Sequence, residues 1–452
     1  MRELLSENLL HLAKISPKPL YIVGGAVRDF LAGHPTENAD FDLSAPISAE
    51  GFVSVAKSAG FQVVAVYKNT GTVKLKDDLN KDYEFTSFRS DKYVRGVHTP
   101  VEIFFTDDIL LDAKRRDFTA NAVYYDIQKD EIVDPLHGVD AIREQTLITV
   151  DDPEKVFGED GLRLMRLARQ AGQLGFIPEE KTLLGAKNHA KLILDITPER
   201  IFAELSMILS ADEKYGVKDG HYRALKVLED TLVLHELFPE LTLGKGLTQR
   251  TDFHSYDVLE HSLRACLYAR KDVRLSALLH DVGKPYCHFQ DGNSYEHPRE
   301  GARIAEEILD RLKAPKRLKA EVCKLVELHM YDFDLKTKEP KLRRFFVANY
   351  PILDKLIAVK QADFSACKDD LSVCPTALKW EAVFKRMKEE RAPLTLKQLA
   401  VNGNDLLREG YPPTALSELL QRLLLHAVVF PKENHKARLL QLARAFFKEI
   451  SC

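Results

Sequence analysis

The stretch LYIVGGAVRDFLAGHPTENADFDL, residues 20–43, sets the reading of everything that follows it. An apolar run ends in Gly24 and Gly25, a short helical pattern carries Arg28 and Asp29, and Asp40-Phe41-Asp42 then appears inside a second apolar run. Side chains repeat every two residues along a strand, so a strand here points Asp40 and Asp42 to one face. Two neighbouring carboxylates repel each other unless a cation lies between them. Oxygen-only ligands suit Mg²⁺, which completes its shell with waters and substrate phosphates. The glycines allow close backbone approach to a bulky anion, and the start of the next helix offers N–H groups to phosphate. Together these features fit nucleotidyl transfer, in which a pair of metals activates the attacking hydroxyl and stabilises the departing pyrophosphate.

Taken alone, a D-x-D is common in solvated loops, and a Gly-Gly before a helix is more often a tight turn. The combination G-G-x-V-R-D followed by D-F-D-L is far more specific. It resembles the nucleotidyltransferase head of bacterial class II CCA-adding enzymes and their poly(A) polymerase relatives. Composition agrees with a multidomain globular chain. At 452 residues there is too much sequence for one core, and the hydrophobic content of 45% and charged content of 29% are ordinary. The six cysteines have no C-x-x-C spacing, which argues against a zinc ribbon or a disulfide framework. No signal peptide or membrane-spanning run is visible, so the expected location is the cytoplasm, with no membrane partner. A net charge of −3 gives no support to nucleic-acid binding, so any RNA contact must use local basic surface.

After the D-x-D, residues 47–60 read as a helix, and residues 61–67, 72–76 and 83–88 as strands. The last strand carries Glu84, and the resemblance makes it the third acidic residue of the metal site beside Asp40 and Asp42. Residues 89–100, RSDKYVRGVHTP, read as a mobile loop, present in the form the family uses to reshape its site between nucleotides. KRRDFTAN at 114–121 matches a second family motif. By resemblance Arg115, Arg116, Asp117 and Asn121 hold the triphosphate and ribose, with Gly24, Gly25, Arg28 and Asp29 part of the same nucleotide site. The hinge motif departs from the family: Asp140-Ala141-Ile142 is shifted, and Ile148 or Thr149 stands where an arginine is expected, with Arg143 the available substitute. From residue 156 the pattern changes to long helices, and EDGLRLMR at 159–166 opens one of them. Asp160 and Arg163, three apart, are then surface neighbours, which by itself reads as an ion pair. The family's EDxxR motif gives the pair a second reading as the protein template for CTP and ATP, with Arg166 alongside. Cytosine and adenine both offer an amino donor beside a ring-nitrogen acceptor, and uracil and guanine would leave polar groups unpaired. Glu199-Arg200 matches the next motif, a buttress of this neck.

A separate set lies downstream: His261, the adjacent His280-Asp281, Lys284, His297, His329 and Asp363. Isolated histidines are usually satisfied core or surface residues, but an adjacent His-Asp in an apolar helix with distant His and Asp companions is harder to explain by packing. Imidazoles mixed with carboxylates suit first-row metals or Mg²⁺. The order resembles the HD phosphohydrolase superfamily, in which His261, His280, Asp281 and Asp363 would bind Ni²⁺, Mn²⁺, Co²⁺ or Mg²⁺. His297 and His329 would then hold phosphate or a second metal, and Lys284 would support the phosphate.

The expected fold is α+β: a nucleotidyltransferase head with a mixed β-sheet over residues 1–137, then an all-α neck (138–245), HD domain (246–370) and tail contacting tRNA (371–452). The expected function is template-independent addition of CCA to tRNA 3′ ends from CTP and ATP, with Mg²⁺ in the head and phosphohydrolase activity in the HD domain. A CC-only or A-only adding enzyme and a poly(A) polymerase are alternatives within the class. A metal-dependent phosphohydrolase that merely binds tRNA is the alternative from another class.

Overall fold

The computed structural model describes residues 1–35, 40–93, 100–291 and 295–450. The chain divides into two compact units, Met1–Thr242 and Leu243–Cys452.

The first unit is built on a seven-stranded sheet. Its strands are β1 (Tyr21–Val23), β2 (Phe41–Ala45), β3 (Gln62–Tyr67), β4 (Thr72–Lys76) and β5 (Asp82–Ser87). After a separate hairpin of β6 (Arg89–Lys92) and β7 (Glu102–Phe105), β8 (Tyr124–Asp126) and β9 (Glu131–Val133) complete it in the order β3-β4-β5-β2-β1-β8-β9. Only β2 and β5 run parallel; every other neighbour in the sheet is antiparallel. The helix Ala49–Ser58 supplies the crossover that a parallel pair requires. It packs on the sheet through Phe52, which stacks on Phe85 of β5 with ring centroids 3.6 Å apart. The expected helix and three strands are all present, with ends moved by one or two residues.

Three details differ from the sequence reading. Asp40 lies one residue before β2 rather than on it. Residues 89–92, read as part of a mobile loop, are strand β6, because their backbone groups pair with β7 in register from Arg89↔Phe105 to Lys92↔Glu102; residues 94–99 of that loop lie outside the described residues. The helix expected from Glu159 is broken. One helix, Pro153–Glu159, ends there, Asp160 takes an extended backbone at φ −146°, and a second, Leu162–Leu174, begins after it. Asp160 accepts from the Leu162 N–H, meeting an orphan donor of the new helix.

At the altered hinge, the residues that stand where an arginine was expected take part in a backbone ladder. Thr119 N–H donates to Ile148 O at 2.8 Å, Val150 N–H donates to Asp117 O, and Phe118 bridges Thr149. Arg143 pairs with Asp140 on the exposed surface, so it does not replace the missing arginine.

The second unit is helical. Helix Leu353–Lys368 lies against Val258–Tyr268, and Leu325, Phe346, Leu356, Val359 and Trp380 fill the core around them. A smaller cluster under the C-terminal helices joins Leu406, Leu419, Leu423 and Leu439. None of the described cysteines is in a disulfide. No helix among the described residues is long and apolar enough to cross a membrane.

One buried carboxylate ties the head together. Asp112, fully buried, accepts from Arg115 Nε (2.8 Å), Arg116 Nη2 (3.1 Å) and the Tyr124 hydroxyl (2.6 Å). Burial alone would raise its pKa, but the two guanidiniums and the hydroxyl outweigh burial and take it down to about 2. A carboxyl depressed on folding stabilises the folded state above its unfolded pKa, and that stabilisation is lost as pH falls toward the folded value. The ordinary value of 3.8 and the folded value of about 2 therefore bound the window of loss. At roughly 1.4 kcal/mol per unit, Asp112 contributes on the order of 2 kcal/mol at neutral pH. Asp112→Asn is expected to lower stability by about 2 to 4 kcal/mol in urea denaturation at pH 7, and to flatten the acid limb of stability between those two pH values. An unchanged acid limb would show that other carboxylates govern it.

Candidate active sites

The parallel register of β2 and β5 sets Glu84 directly beside Asp42, and β1 places Val23 on the other side of Asp42. Gly24 follows at φ +86°, a conformation that glycine adopts without strain. It turns the chain from β1 into helix Gly25–Leu31. Asp42 is raised to about 6, first by desolvation, with Glu84 and Asp40 adding to the rise and Arg116 opposing it. This crowding of negative charge is what a divalent cation would relieve, and Asp40, Asp42 and Glu84 fit an oxygen-liganded metal. Glu84 is half exposed and also faces Lys74 Nζ at 3.6 Å.

Asp42 opens on a cavity of about 410 Å³. Its wall carries Arg28, Arg115, Arg116, Arg163, Arg166, Arg169, Arg200 and Lys214, against only Asp42, Asp117 and Asp160, with Gly24, Gly25 and Asn121 completing the predicted set. A surplus of fixed positive charge beside a carboxylate pair matches a polyphosphate.

The arginines are held by a continuous network. Asp117, buried, accepts from the Phe118 N–H and Asn121 Nδ2 on one oxygen, both at 2.8 Å, and from Arg166 Nε (2.8 Å) and Gln170 Nε2 (3.3 Å) on the other. Burial alone would raise the Asp117 carboxyl, but Arg166 and these donors hold it well below the usual range. Asn121 Oδ1 in turn accepts from Arg28 Nη1 at 2.6 Å. Arg28 Nη2 pairs with Asp29 Oδ1 at 2.6 Å, and Asp29 Oδ2 accepts from the Tyr215 hydroxyl at 2.5 Å. Every acceptor position of Asp117 is thus taken in this arrangement, so a ribose hydroxyl reaching it would have to displace one of these donors.

Asp160 and Arg163 both reach the cavity, but they do not form the expected helix-surface pair. Arg163 Nη1 binds Glu159 Oε2 (3.0 Å) and Val156 O (2.8 Å), while Nη2 binds Arg115 O (2.7 Å). The break at Asp160 accounts for this, since it turns Asp160 off the face that Arg163 shares with Glu159. Asp112, Gln170, Arg169, Lys214 and Tyr215 were absent from the sequence reading; each lies outside the recognised motifs and is brought in by tertiary packing.

In the second unit all the predicted histidines and aspartates converge. His261 Nε2 lies 3.2 Å from His280 Nε2, 3.1 Å from Asp363 Oδ1 and 3.4 Å from Asp281 Oδ2. Asp281 turns its other oxygen to His297 Nε2 (3.2 Å) and His329 Nε2 (3.6 Å). Lys284 Nζ caps Asp281 Oδ2 at 2.5 Å. The Nδ1 atoms of His280 and His329 each sit 2.7 Å from a backbone carbonyl, of Ala277 and Val326. Donating those protons leaves both Nε2 lone pairs facing the centre, the tautomer a metal requires. Burial alone would lower His280, but Asp281 and Asp363 push it up to about 10; burial, with His280 and His297 nearby, takes His329 down to about 4. The donor set therefore fits a divalent metal, which His261, His280 and Asp363 or His280, Asp281 and His329 would hold. Gly283 permits the turn, because a Cβ there would meet His297 O at 2.4 Å.

Comparison with known proteins places these sites in a family. The poly A polymerase head domain model matches residues 20–148, the HD domain model residues 251–363, and the model described as "Probable RNA and SrmB- binding site of polymerase A" residues 175–243. The chain is 35% identical over 191 residues to the CCA-adding enzyme of Streptococcus mutans, a match covering 42% of this chain and 46% of that relative. It is 30% identical over 399 residues to the A-adding tRNA nucleotidyltransferase of Deinococcus radiodurans, covering 83% of this chain and 84% of that one. The multifunctional CCA protein of Acinetobacter baumannii is 30% identical over 68% of this chain and 73% of its own. The fold is shared with the CCA-adding enzyme of Bacillus stearothermophilus solved in complex with CTP, at a TM-score of 0.66 and 24% identity, over 99% of this chain and 100% of that one. The likeness runs through head, RNA-binding region and HD domain in a single order, and the chain belongs to the bacterial class II CCA-adding tRNA nucleotidyltransferase family, in the form that carries an HD domain.

Proposed function

We propose that the protein adds CCA to the 3′ end of tRNA without a nucleic-acid template, using CTP and ATP. The observation that carries this reading is the Asp42–Glu84 register at the mouth of a cavity lined by eight cationic side chains. It is supported by relatives that bear the names CCA-adding enzyme and multifunctional CCA protein, and by related structures solved with tRNA, with ATP and with CTP. The four parts proposed are a head (1–137), a neck (138–245), an HD domain (246–370) and a tail that contacts tRNA (371–452).

In the mechanism, Arg28, Arg115, Arg116 and Arg166 with the Gly24–Gly25 backbone seat the triphosphate. Asp40, Asp42 and Glu84 would hold Mg²⁺, which would supply positive charge at the attacking 3′-hydroxyl and at the pyrophosphate. The guanidiniums are already fixed by Asp112 and Asp117, so they meet the charge that develops on the leaving group without reorganising. Asp160 offers an acceptor to the exocyclic amino group of cytosine or adenine, and Arg163 a donor to the ring nitrogen. For the second unit we propose phosphohydrolysis of 2′,3′-cyclic or 2′-phosphates on Ni²⁺, Mn²⁺, Co²⁺ or Mg²⁺ held by His261, His280, Asp281 and Asp363, with His297, His329 and Lys284 on the phosphate or a second ion. The A-adding relative keeps restriction to A as a second reading.

Incubating the protein with Mg²⁺, each nucleotide alone or together, and tRNA ending at the discriminator base separates these by product length. Three added residues are expected only with CTP and ATP together. Asp42→Ala is expected to abolish incorporation while tRNA binding in a gel-shift assay survives; near-normal addition would remove Asp42 from the metal site. Asp160→Asn keeps the acceptor for Leu162 N–H but turns the other oxygen into a donor. It should cut the preference for CTP over UTP by roughly 10-fold or more, the value of about 1.4 kcal/mol of mismatched hydrogen bonding. An unchanged ratio would mean that another group reads the base. His280→Ala with Asp281→Ala should remove hydrolysis of cyclic phosphates and retain CCA addition in protein whose thermal melt shows a folded state. Loss of addition in that folded variant would make the HD region part of the polymerising machinery.

A further inference from the structure

His261 is fully buried and is already engaged through Nε2 with His280, Asp281 and Asp363, yet its Nδ1 has no hydrogen-bond partner. A second buried imidazole nitrogen in the same condition, His254 Nδ1, stands beside it, the two rings edge to face with centroids 4.8 Å apart. Two orphaned ring nitrogens in one pocket are unusual, since buried polar atoms are nearly always satisfied. The third member is the thiol of Cys367. His254, His261 and Cys367 each offer a ligand atom, and these atoms lie within 4.8 Å of one another.

The backbone builds this cluster deliberately. The Ser255 N–H donates to Cys367 O at 2.9 Å, and Lys368 Nζ donates to Asp252 O at 2.7 Å, so the segment before helix Val258–Tyr268 is pinned to the last turn of Leu353–Lys368. Those two bonds hold His254 and Cys367 over His261. The thiol donates to Asp363 O, one turn earlier on its own helix, at 3.4 Å.

We propose that His254, His261 and Cys367 form a second metal seat, contiguous with the histidine–aspartate centre and sharing His261 with it, that takes a borderline or soft divalent cation such as Zn²⁺, Co²⁺ or Cd²⁺. Two imidazoles and a thiolate are a zinc-type donor set, whereas the neighbouring centre offers only nitrogen and oxygen. On binding, the sulfur–metal bond forms as the thiol releases its proton to solvent, and His261, when ligated through Nε2 at the neighbouring centre, also releases its Nδ1 proton so that the ring is shared as an imidazolate. The seat discriminates by ligand softness: Mg²⁺ is left to the oxygen-rich sites, and thiophilic ions are drawn to the sulfur. The inference uses the reading of the histidine–aspartate cluster as a metal centre only for the sharing of His261.

Cobalt reports the two sites separately. Co²⁺ bound by nitrogen and oxygen alone gives weak visible ligand-field bands, and a thiolate ligand adds an intense near-ultraviolet sulfur-to-cobalt charge-transfer band. Titration of the full-length protein with Co²⁺ is expected to produce that band, with Zn²⁺ displacing it and excess Mg²⁺ leaving it in place. Cys367→Ser should remove the band while the ligand-field bands of the neighbouring centre remain, and His254→Ala should weaken Co²⁺ binding at the thiolate seat by more than about 100-fold, beyond the roughly 10–100-fold that loss of an outer-shell partner costs. Thermal melts of both variants check that they fold. No charge-transfer band in the wild type, or a band that persists in the folded Cys367→Ser variant, overturns the seat. Loss of every cobalt band in the folded Cys367→Ser variant, with the charge-transfer band present in the wild type, would overturn the neighbouring centre instead and leave the thiolate seat standing.

Discussion

The Asp117 carboxylate is the contact on which the first unit depends. It belongs to the RRDFTAN motif next to the sheet, yet two of its donors, Arg166 and Gln170, come from helix Leu162–Leu174. A buried charge that lost either partner would be costly, on the order of several kcal/mol, so motif and helix are locked in one arrangement. The cavity exists between them for that reason. From Asp117 the same constraint passes through Asn121 to Arg28, Asp29 and Tyr215, so that a residue far along the chain fixes the helix that follows the glycine turn.

Asp112 does for the sheet side of the cavity what Asp117 does for the helical side. Arg115 and Arg116 would repel each other across a shared pocket. A fully buried carboxylate beneath them absorbs that repulsion and leaves their outer N–H groups aimed at the cavity. Adjacent arginines are therefore presented in fixed directions, which flexible surface arginines are not. The second unit solves its electrostatic problem differently. It accumulates imidazoles around Asp281 and Asp363 and lets protons, or a cation in their place, balance the charge.

Much of this was legible because the chemistry is encoded in short spacings. The D-x-D, the glycine pair, RRDFTAN and His280-Asp281 each bring several functional groups into a few residues, and the fold gathers Gly24, Gly25, Asp42 and Asp117 at one cavity and His280 and Asp281 in one histidine–aspartate cluster. The helix break at Asp160 was less visible, since EDGLRLMR has a good helical period and the capping of Leu162 by Asp160 competes with it locally. Asp112, Lys214, Tyr215 and His254 were not legible at all. Tyr215 meets Asp29 186 positions away, and Asp112 meets Tyr124 only 12 positions away, but each is a single polar residue whose meaning depends on a tertiary partner, and periodicity carries no information about such pairs. At the hinge, what joins the segments is a ladder of backbone bonds from Asp117 to Val150, which no side-chain motif can announce.

The parallel pairing of β2 with β5 has a consequence for the order in which the head assembles. Asp42 and Glu84 are neighbours in space only because helix Ala49–Ser58 and the β3–β4 hairpin intervene and close back on the sheet. Closing a loop of that size is entropically opposed until the intervening elements have formed. The carboxylate pair therefore comes together only where the helix and hairpin have closed back on the sheet, and a head in which β5 has not joined β2 holds Asp42 and Glu84 apart.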